Sequence, residues 1–343
     1  MRALTFETPG KKLRCEEIAE PKPGPGQIKL KVKHCGVCGS DLHMTEAAAS
    51  RNPTPGSVIG HEFCGEIVEL GEGVDRRWKE GDRITALPFM GCGACAYCQA
   101  GEPVWCAKMI SHAGGRVQGG FAEYVVVGAG ETVRVPDQLS WTEGALIEPI
   151  AVGLHGVELA ELKPGANIFV LGAGPIGLAT VACARAMGAG KIVVAAKSDR
   201  RADLARAMGA TDFILADENA KKEFKRIVGG PPDAVFECVG APGMLEFCIS
   251  QAAPRTTVTV LGACNQRDSY NPVPTLGKEL RLQFSMAYHV RDFERAAAMM
   301  ADGRVKTEGM VTDIVNFAQF PDAFEALRER THQCKVLLAP EMP

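Results

Sequence analysis

Polar and apolar residues alternate along Gln27-Ile28-Lys29-Leu30-Lys31-Val32-Lys33, the period of a half-buried β-strand. Glu66–Leu70 ends at Gly71 and Ala122–Val127 ends at Gly128, so short strands punctuated by glycine recur through the first part of the chain. Pro21-Lys22-Pro23-Gly24-Pro25-Gly26 reads as a turn-rich connection. This pattern predicts a β-rich, barrel-like domain over residues 1–150. After Lys163-Pro164-Gly165 the pattern changes. Asn167–Leu171 is almost wholly apolar, as in a strand covered on both faces, and a helix is predicted over Leu178–Met187. Lys191–Ala195, Ala234–Cys238 and Thr257–Leu261 repeat the strand signal, which predicts an α/β, doubly wound parallel sheet over residues 151–288. From about Gln283 the repeat stops. Asp292–Ala301 and Phe320–Arg330 read as amphipathic helices, the second opened by Pro321-Asp322, and Lys335–Leu338 as a last short strand within residues 289–343.

Length supports this division, since 343 residues exceed one typical core. A net charge of −3 leaves no electrostatic footprint for nucleic acid or an anionic membrane. No apolar run approaches a membrane span. Met1–Phe6 meets Glu7 and Pro9 before a signal-peptide core forms. Thirteen cysteines without such a signal imply a reducing compartment, and a cytoplasmic location is expected.

Those cysteines carry the first chemical signal. Cys92, Cys95, Cys98 and Cys106 follow the spacing C-x2-C-x2-C-x7-C, with Gly91, Gly93 and Gly101 supplying turns. Four thiolates suit tetrahedral zinc, and a complete cage has no open position, so a structural lobe is expected over residues 91–107. A second set lies on two earlier loops. Cys38, within Cys35–His43, and His61, in Gly60-His61-Glu62, offer a thiolate and an imidazole, the pair a catalytic zinc uses when a position stays open. Glu62 and Glu148 are the carboxylates that would complete or surround that site.

A third signal sits between strand and helix. Gly172-Ala173-Gly174-Pro175-Ile176-Gly177 follows the apolar strand directly, the context in which G-x-G-x-x-G binds a dinucleotide pyrophosphate. An NAD enzyme places an acidic residue at the end of the next strand. Counting back from Met208-Gly209-Ala210, that position is Ala196, followed by Lys197, Ser198, Asp199, Arg200 and Arg201. Alanine removes the carboxylate that would repel a 2′-phosphate, and Lys197, Ser198 and one of the arginines offer partners for it, so NADP is favoured over NAD. Asp199 leaves an NAD reading open.

Gly-Val-Cys38-Gly-Ser-Asp-Leu-His43, Gly-His61-Glu62, the four-cysteine lobe, Gly119-Gly120-Phe121-Ala122-Glu123-Tyr124 and Glu148-Pro149, in this order, resemble the zinc-dependent medium-chain alcohol dehydrogenases. The branch holding sorbitol, butanediol and threonine dehydrogenases is the most similar. The resemblance implies a GroES-like catalytic domain, a Rossmann cofactor domain, a C-terminal tail returning to the first domain, and an active site in the cleft between domains. It implies two zincs per chain and hydride transfer between an alcohol and NAD(P), the alcohol being secondary, a diol or a polyol. Either Glu62 or Glu148 takes the ligand position that a second cysteine holds in alcohol dehydrogenase itself. Ser40 and His43 match the family's proton relay, with helix capping as their alternative role, and Asp41 is placed to orient a zinc ligand. Phe89, His112, Val152, Met286 and Tyr288 are expected at the cleft, whereas the small run Ala47–Ser50 carries no sugar-binding signal. A dimer or tetramer is implied. Alternatives are an NAD-using threonine or sorbitol type, a zinc-free enone or quinone reductase, which would lack these ligands, and a non-catalytic dinucleotide-binding paralogue.

Overall fold

The computed structural model describes residues 1–49, 52–115, 117–329 and 333–342. Ser50 and Arg330, each the end of a run singled out above, lie outside the described residues. The chain forms two compact units: Met1–Glu148 with Tyr288–Ala301 and the segment from Val311 on, and Pro149–Ala287 with Asp302–Met310. Asp302–Met310, expected with the C-terminal return, thus groups with the second unit.

The first unit is built on a long strand, Gln27–Gly36. On one side it pairs antiparallel with Glu62–Leu70; on the other it meets Tyr124–Gly128 along its first half and Lys335–Leu338 at its end. Arg83–Ala86 and Thr132–Arg134 extend the sheet beyond Glu62–Leu70, and Val311–Val315 extends it beyond Lys335–Leu338. The C-terminal strand therefore sits beside the residues that lead into Cys38, with Leu337 opposite Gly36 and Leu338 opposite Cys35. Phe320 and Phe324, on the helix Phe320–Ala326, pack on Phe121 with ring centroids 4.7 and 6.3 Å away. These contacts seal the tail into the apolar core formed by Leu4, Phe6, Leu30, Val32, Phe63 and Val125.

The second unit holds a six-stranded parallel sheet in the order Asp212–Leu215, Ile192–Ala196, Ile168–Leu171, Ala234–Glu237, Thr257–Val260, Arg281–Phe284. Numbered along the chain this is 3-2-1-4-5-6, the doubly wound order, which reverses between Ile168–Leu171 and Ala234–Glu237. Ligands of such sheets bind beyond the carboxyl ends of the strands at that reversal. The four central strands were readable as apolar runs. The outer two, Asp212–Leu215 and Arg281–Phe284, were not, because edge strands face solvent and carry polar residues. Among the described residues no helix is long and apolar enough to cross a membrane.

Candidate active site

Antiparallel pairing sets Gly36 opposite Glu62. The approach is close enough that a Cβ on Gly36 would lie 2.2 Å from Glu62 Oε2, so any side chain there would displace the Glu62 carboxylate. The chain then turns at Val37, whose amide donates to Val336 O at 3.0 Å, and Cys38 caps the short helix Gly39–Met44. Register and turn together gather Cys38, His61 and Glu62: one donor atom from each lies within 4.8 Å of the others. His61 and Glu62 are buried, and Cys38 is partly exposed.

Three further groups fix this trio. Asp41, fully buried, accepts from the Cys38 amide at 2.9 Å and lies 3.2 Å from His61 Nδ1 through its other oxygen. That contact sets the imidazole's orientation and tautomer. Burial disfavours a charged His61, but the Asp41 carboxylate and the Cys38 sulfur outweigh it and hold the imidazole well above its usual value. Lys335, only 1% exposed, donates to both Glu62 oxygens at 2.6 and 2.7 Å and to Val37 O at 2.9 Å. Burial opposes its charge, yet Glu62 and then Cys38 hold its proton more tightly than usual. Glu148 stands outside the trio. It is buried on the helix Trp141–Leu159, and Tyr288, buried between Phe89 and Phe293, donates its hydroxyl to Glu148 Oε1 at 2.6 Å.

Burial first, and the Glu62 charge second, push the Glu148 carboxyl up to about 7. A carboxyl that holds its proton more tightly when folded favours folding below the unfolded value of about 4.5 and loses that advantage as pH rises to about 7. Glu148→Gln keeps an acceptor for Tyr288 and removes the titration. In the metal-free protein it is expected to abolish a fall in unfolding free energy on the order of 3 kcal/mol across that window. Urea denaturation at the two pH limits checks this; parallel behaviour of the two proteins would contradict it.

The four lobe cysteines also converge, with their sulfurs within 4.8 Å of one another. The amides of Cys92 and Lys108 each donate to Cys106 Sγ at 3.4 Å, the pattern by which backbone N–H groups stabilise thiolates. The Ala94 and Cys95 amides pull Cys92 down to about 6, whereas burial pushes Cys98 up to about 12. The lobe is anchored by Glu131, which accepts from the Gly91 amide at 3.0 Å.

In the second unit, Gly172 follows the strand Ile168–Leu171 with φ +108°, and Gly174 caps the helix Pro175–Ala186. The helix thus begins at Pro175 rather than Leu178, because proline suits the first helical position, where no amide is needed. Ala173 and Ile176 complete the turn. A Cβ on Gly177 would lie 2.0 Å from Gly172 O, so helix and turn touch directly; one on Gly174 would meet nothing within 4 Å. Room therefore remains in front of a helix N-terminus, where a pyrophosphate fits. Ala196 is the last residue of its strand. Beyond it Lys197 is exposed, Arg200 Nε donates to Ser198 Oγ at 3.3 Å, and Arg201 Nη1 donates to Ala173 O at 3.1 Å, tying the strand end to the glycine turn.

Ser40 and His43 stand three residues apart on Gly39–Met44 and so share a face; His43 Nδ1 lies 3.3 Å from Glu46 Oε1. Cys38, not Ser40, occupies the helix cap. His112 is fully buried, with Nε2 2.8 Å from Val126 O, and Phe89 is buried beside Tyr288, whereas Val152 and Met286 belong to the second unit. Sequence reasoning missed Lys335 and the Tyr288–Glu148 bond. The one available signal for Lys335 was a lysine opening the apolar run Val336-Leu337-Leu338.

The donor chemistry suits zinc at both clusters: a closed set of four sulfurs, and a mixed sulfur, nitrogen and oxygen set among buried acidic groups with a single buried lysine. Comparison with known proteins agrees. Residues 24–137 match the alcohol dehydrogenase GroES-like domain and residues 175–302 the zinc-binding dehydrogenase domain. Sorbitol dehydrogenase of Bacillus subtilis (strain 168) is 31% identical over 335 residues, covering 96% of this chain and 95% of that protein. (R,R)-butanediol dehydrogenase of the same organism is 34% identical over 347 residues, covering 96% and 97%. Among solved structures, a putative zinc-binding dehydrogenase from Sinorhizobium meliloti 1021 bound to NADP superposes with a TM-score of 0.87 at 32% identity, covering 99% of each chain. A protein described as a short chain alcohol dehydrogenase from E. coli CFT073, complexed with NADH, gives 0.89 at 29% identity, again covering 99% of each. The chain belongs to the zinc-dependent medium-chain alcohol dehydrogenase family. It is an oxidoreductase with a GroES-like unit, a Rossmann unit, zinc and a nicotinamide cofactor.

Proposed function

We propose that this chain interconverts a secondary alcohol, diol or polyol and its ketone, with NADP preferred over NAD and two zincs per chain. The convergence of Cys38, His61 and Glu62 within 4.8 Å carries this reading. These three residues would hold the catalytic zinc, and Cys92, Cys95, Cys98 and Cys106 the structural one. Bound there, zinc supplies Lewis acidity, polarising a carbonyl or acidifying a hydroxyl. Asp41 keeps His61 oriented, while Lys335 offsets the Glu62 charge and holds both its oxygens. Glu148, fixed by Tyr288, is the second carboxylate at hand when substrate enters or product leaves. The sorbitol and butanediol specificities of the relatives support the substrate class. Two zincs per chain by elemental analysis are expected; one or none overturns the reading.

Ser40 and His43 would carry the substrate proton outward, a reading their shared helical face supports. Ser40→Ala is expected to lower kcat about a hundredfold, the scale of general acid–base catalysis, with zinc content unchanged. Unaltered kcat would remove the relay.

The cofactor preference rests on Ala196 and the basic groups after it. Two charge-assisted contacts to a 2′-phosphate, each about 1.5–3 kcal/mol, favour NADP by about a hundredfold or more. Ala196→Asp is expected to reverse this preference in kcat/KM by a similar factor, about a hundred. A wild-type protein that favours NAD, or a variant with an unchanged ratio, would contradict it.

A further inference from the structure

Glu237 ends the strand Ala234–Glu237, beside the point where the sheet order reverses, and its carboxylate is 2% exposed. No ion pair joins it among the described residues. A buried carboxylate without a cation is costly, and among the described residues its side-chain hydrogen bonds come from backbone amides alone. Its Oε1 accepts from Val239 N at 2.7 Å and from Gly240 N at 3.0 Å, while its carbonyl accepts from Leu261 N at 2.8 Å and Gly262 N at 3.0 Å. One residue thus ties together the loops that follow the fourth and fifth strands.

Those loops press on the cofactor turn. The Cys238 amide donates to Leu171 O at 2.9 Å, and a Cβ on Gly172 would lie 2.9 Å from Val239 Cγ2. Behind them the two loops touch backbone to backbone: a Cβ on Gly262 would lie 2.2 Å from Gly240 N and 2.4 Å from Glu237 Oε2. Gly240 has φ +68°, and a Cβ there would lie 2.7 Å from Ala263 N. The Val239–Gly240 segment is therefore closely packed on both sides, and the Glu237 carboxylate is its brace.

We propose that Glu237 is a positioning residue for the nicotinamide cofactor, its carboxylate fixing Val239–Gly240 as the wall of the binding site against Gly172. The proposal rests on the dehydrogenase reading above. It requires an acceptor at Oε1, not a negative charge, so glutamine serves and leucine does not.

Titration of the zinc-loaded full chain with NADPH, followed by cofactor fluorescence, tests it. Glu237→Leu is expected to raise the NADPH Kd about tenfold or more, the scale of a small misplacement of a binding group, while Glu237→Gln stays within about threefold of wild type. Steady-state KM for the cofactor is expected to rise in Glu237→Leu with KM for the alcohol unchanged. If Glu237→Leu fails to fold, Gly262→Ala, which drives a methyl between the same loops, reports on the same brace and is expected to weaken NADPH binding. Wild-type affinity in Glu237→Leu, or equal loss in the leucine and glutamine variants, overturns the positioning role. A wild-type protein that binds neither NADPH nor NADH overturns the dehydrogenase reading instead.

Discussion

Replacing His61 with alanine is expected to lower kcat/KM for alcohol oxidation about a thousandfold or more and to remove one of two zincs. A thousandfold corresponds to about 4 kcal/mol of transition-state stabilisation, within the several kcal/mol a Lewis-acid metal supplies. The zinc that remains is expected on the four cysteines, which belong to a separate lobe and share no ligand with His61. Asp41 loses its imidazole partner but keeps the Cys38 amide, so the helix Gly39–Met44 retains its cap interaction. Elemental analysis together with steady-state rates checks both halves. A variant that keeps both zincs or near-normal turnover would place the reacting metal elsewhere.

Lys335→Met is expected to have the largest effect on stability. It leaves Glu62 buried without its cation and strips Val37 O of a donor, and breaking a buried pair from one side costs about 3–5 kcal/mol. Zinc on Cys38, His61 and Glu62 would offset part of this uncompensated charge, so the loss is expected to be greater in metal-free protein than in loaded protein. Adding Glu62→Gln removes the unpaired charge and is expected to restore part of the stability. Denaturant unfolding of single and double variants measures these terms. A loss below about 1 kcal/mol, as for a solvent-exposed pair, would mean that Lys335 does not compensate Glu62.

The catalytic donors were legible because each sits in a short motif whose residue types have few other uses. Their supports were not. Lys335 lies 273 residues from Glu62, and a lysine opening a four-residue strand reads as a solvated end. The pairing of that strand with Gln27–Gly36 on one side and Val311–Val315 on the other carries its side chain inward. Tyr288 and Glu148 are likewise 140 residues apart and meet through tertiary packing alone. Glu237, inside the apolar run Ala-Val-Phe-Glu-Cys-Val, carries no periodic signal, since its strand is buried along its whole length.

The same cause blurred element ends. The strand Gln27–Gly36 runs three residues past the alternating stretch that ends at Lys33, and Glu62–Leu70 begins four before the expected Glu66. At these extensions Cys35, Gly36 and Glu62–Gly65 are buried, so alternation disappears where the strands enter the site. The helix expected over Phe320–Arg330 is α-helical only to Ala326 and continues as a 3-10 turn over Leu327–Glu329. The four central strands of the second unit, by contrast, were read to within one residue at each end, because continuous apolar runs between glycine turns have few alternative packings, whereas the helix after the first of them begins three residues before the expected Leu178.

The central claim is that Cys38, His61 and Glu62 would hold the zinc of a site at which a nicotinamide cofactor oxidises an alcohol. Its most direct test is the rate of NADP reduction by zinc-loaded protein across a panel of secondary alcohols, diols and polyols, run beside Cys38→Ser. Turnover of at least one panel member by wild type, lost in Cys38→Ser, is the expected result. A Cys38→Ser protein that turns over alcohol as fast as wild type, or a zinc-loaded wild type that binds NADPH and turns over none of them, would contradict it.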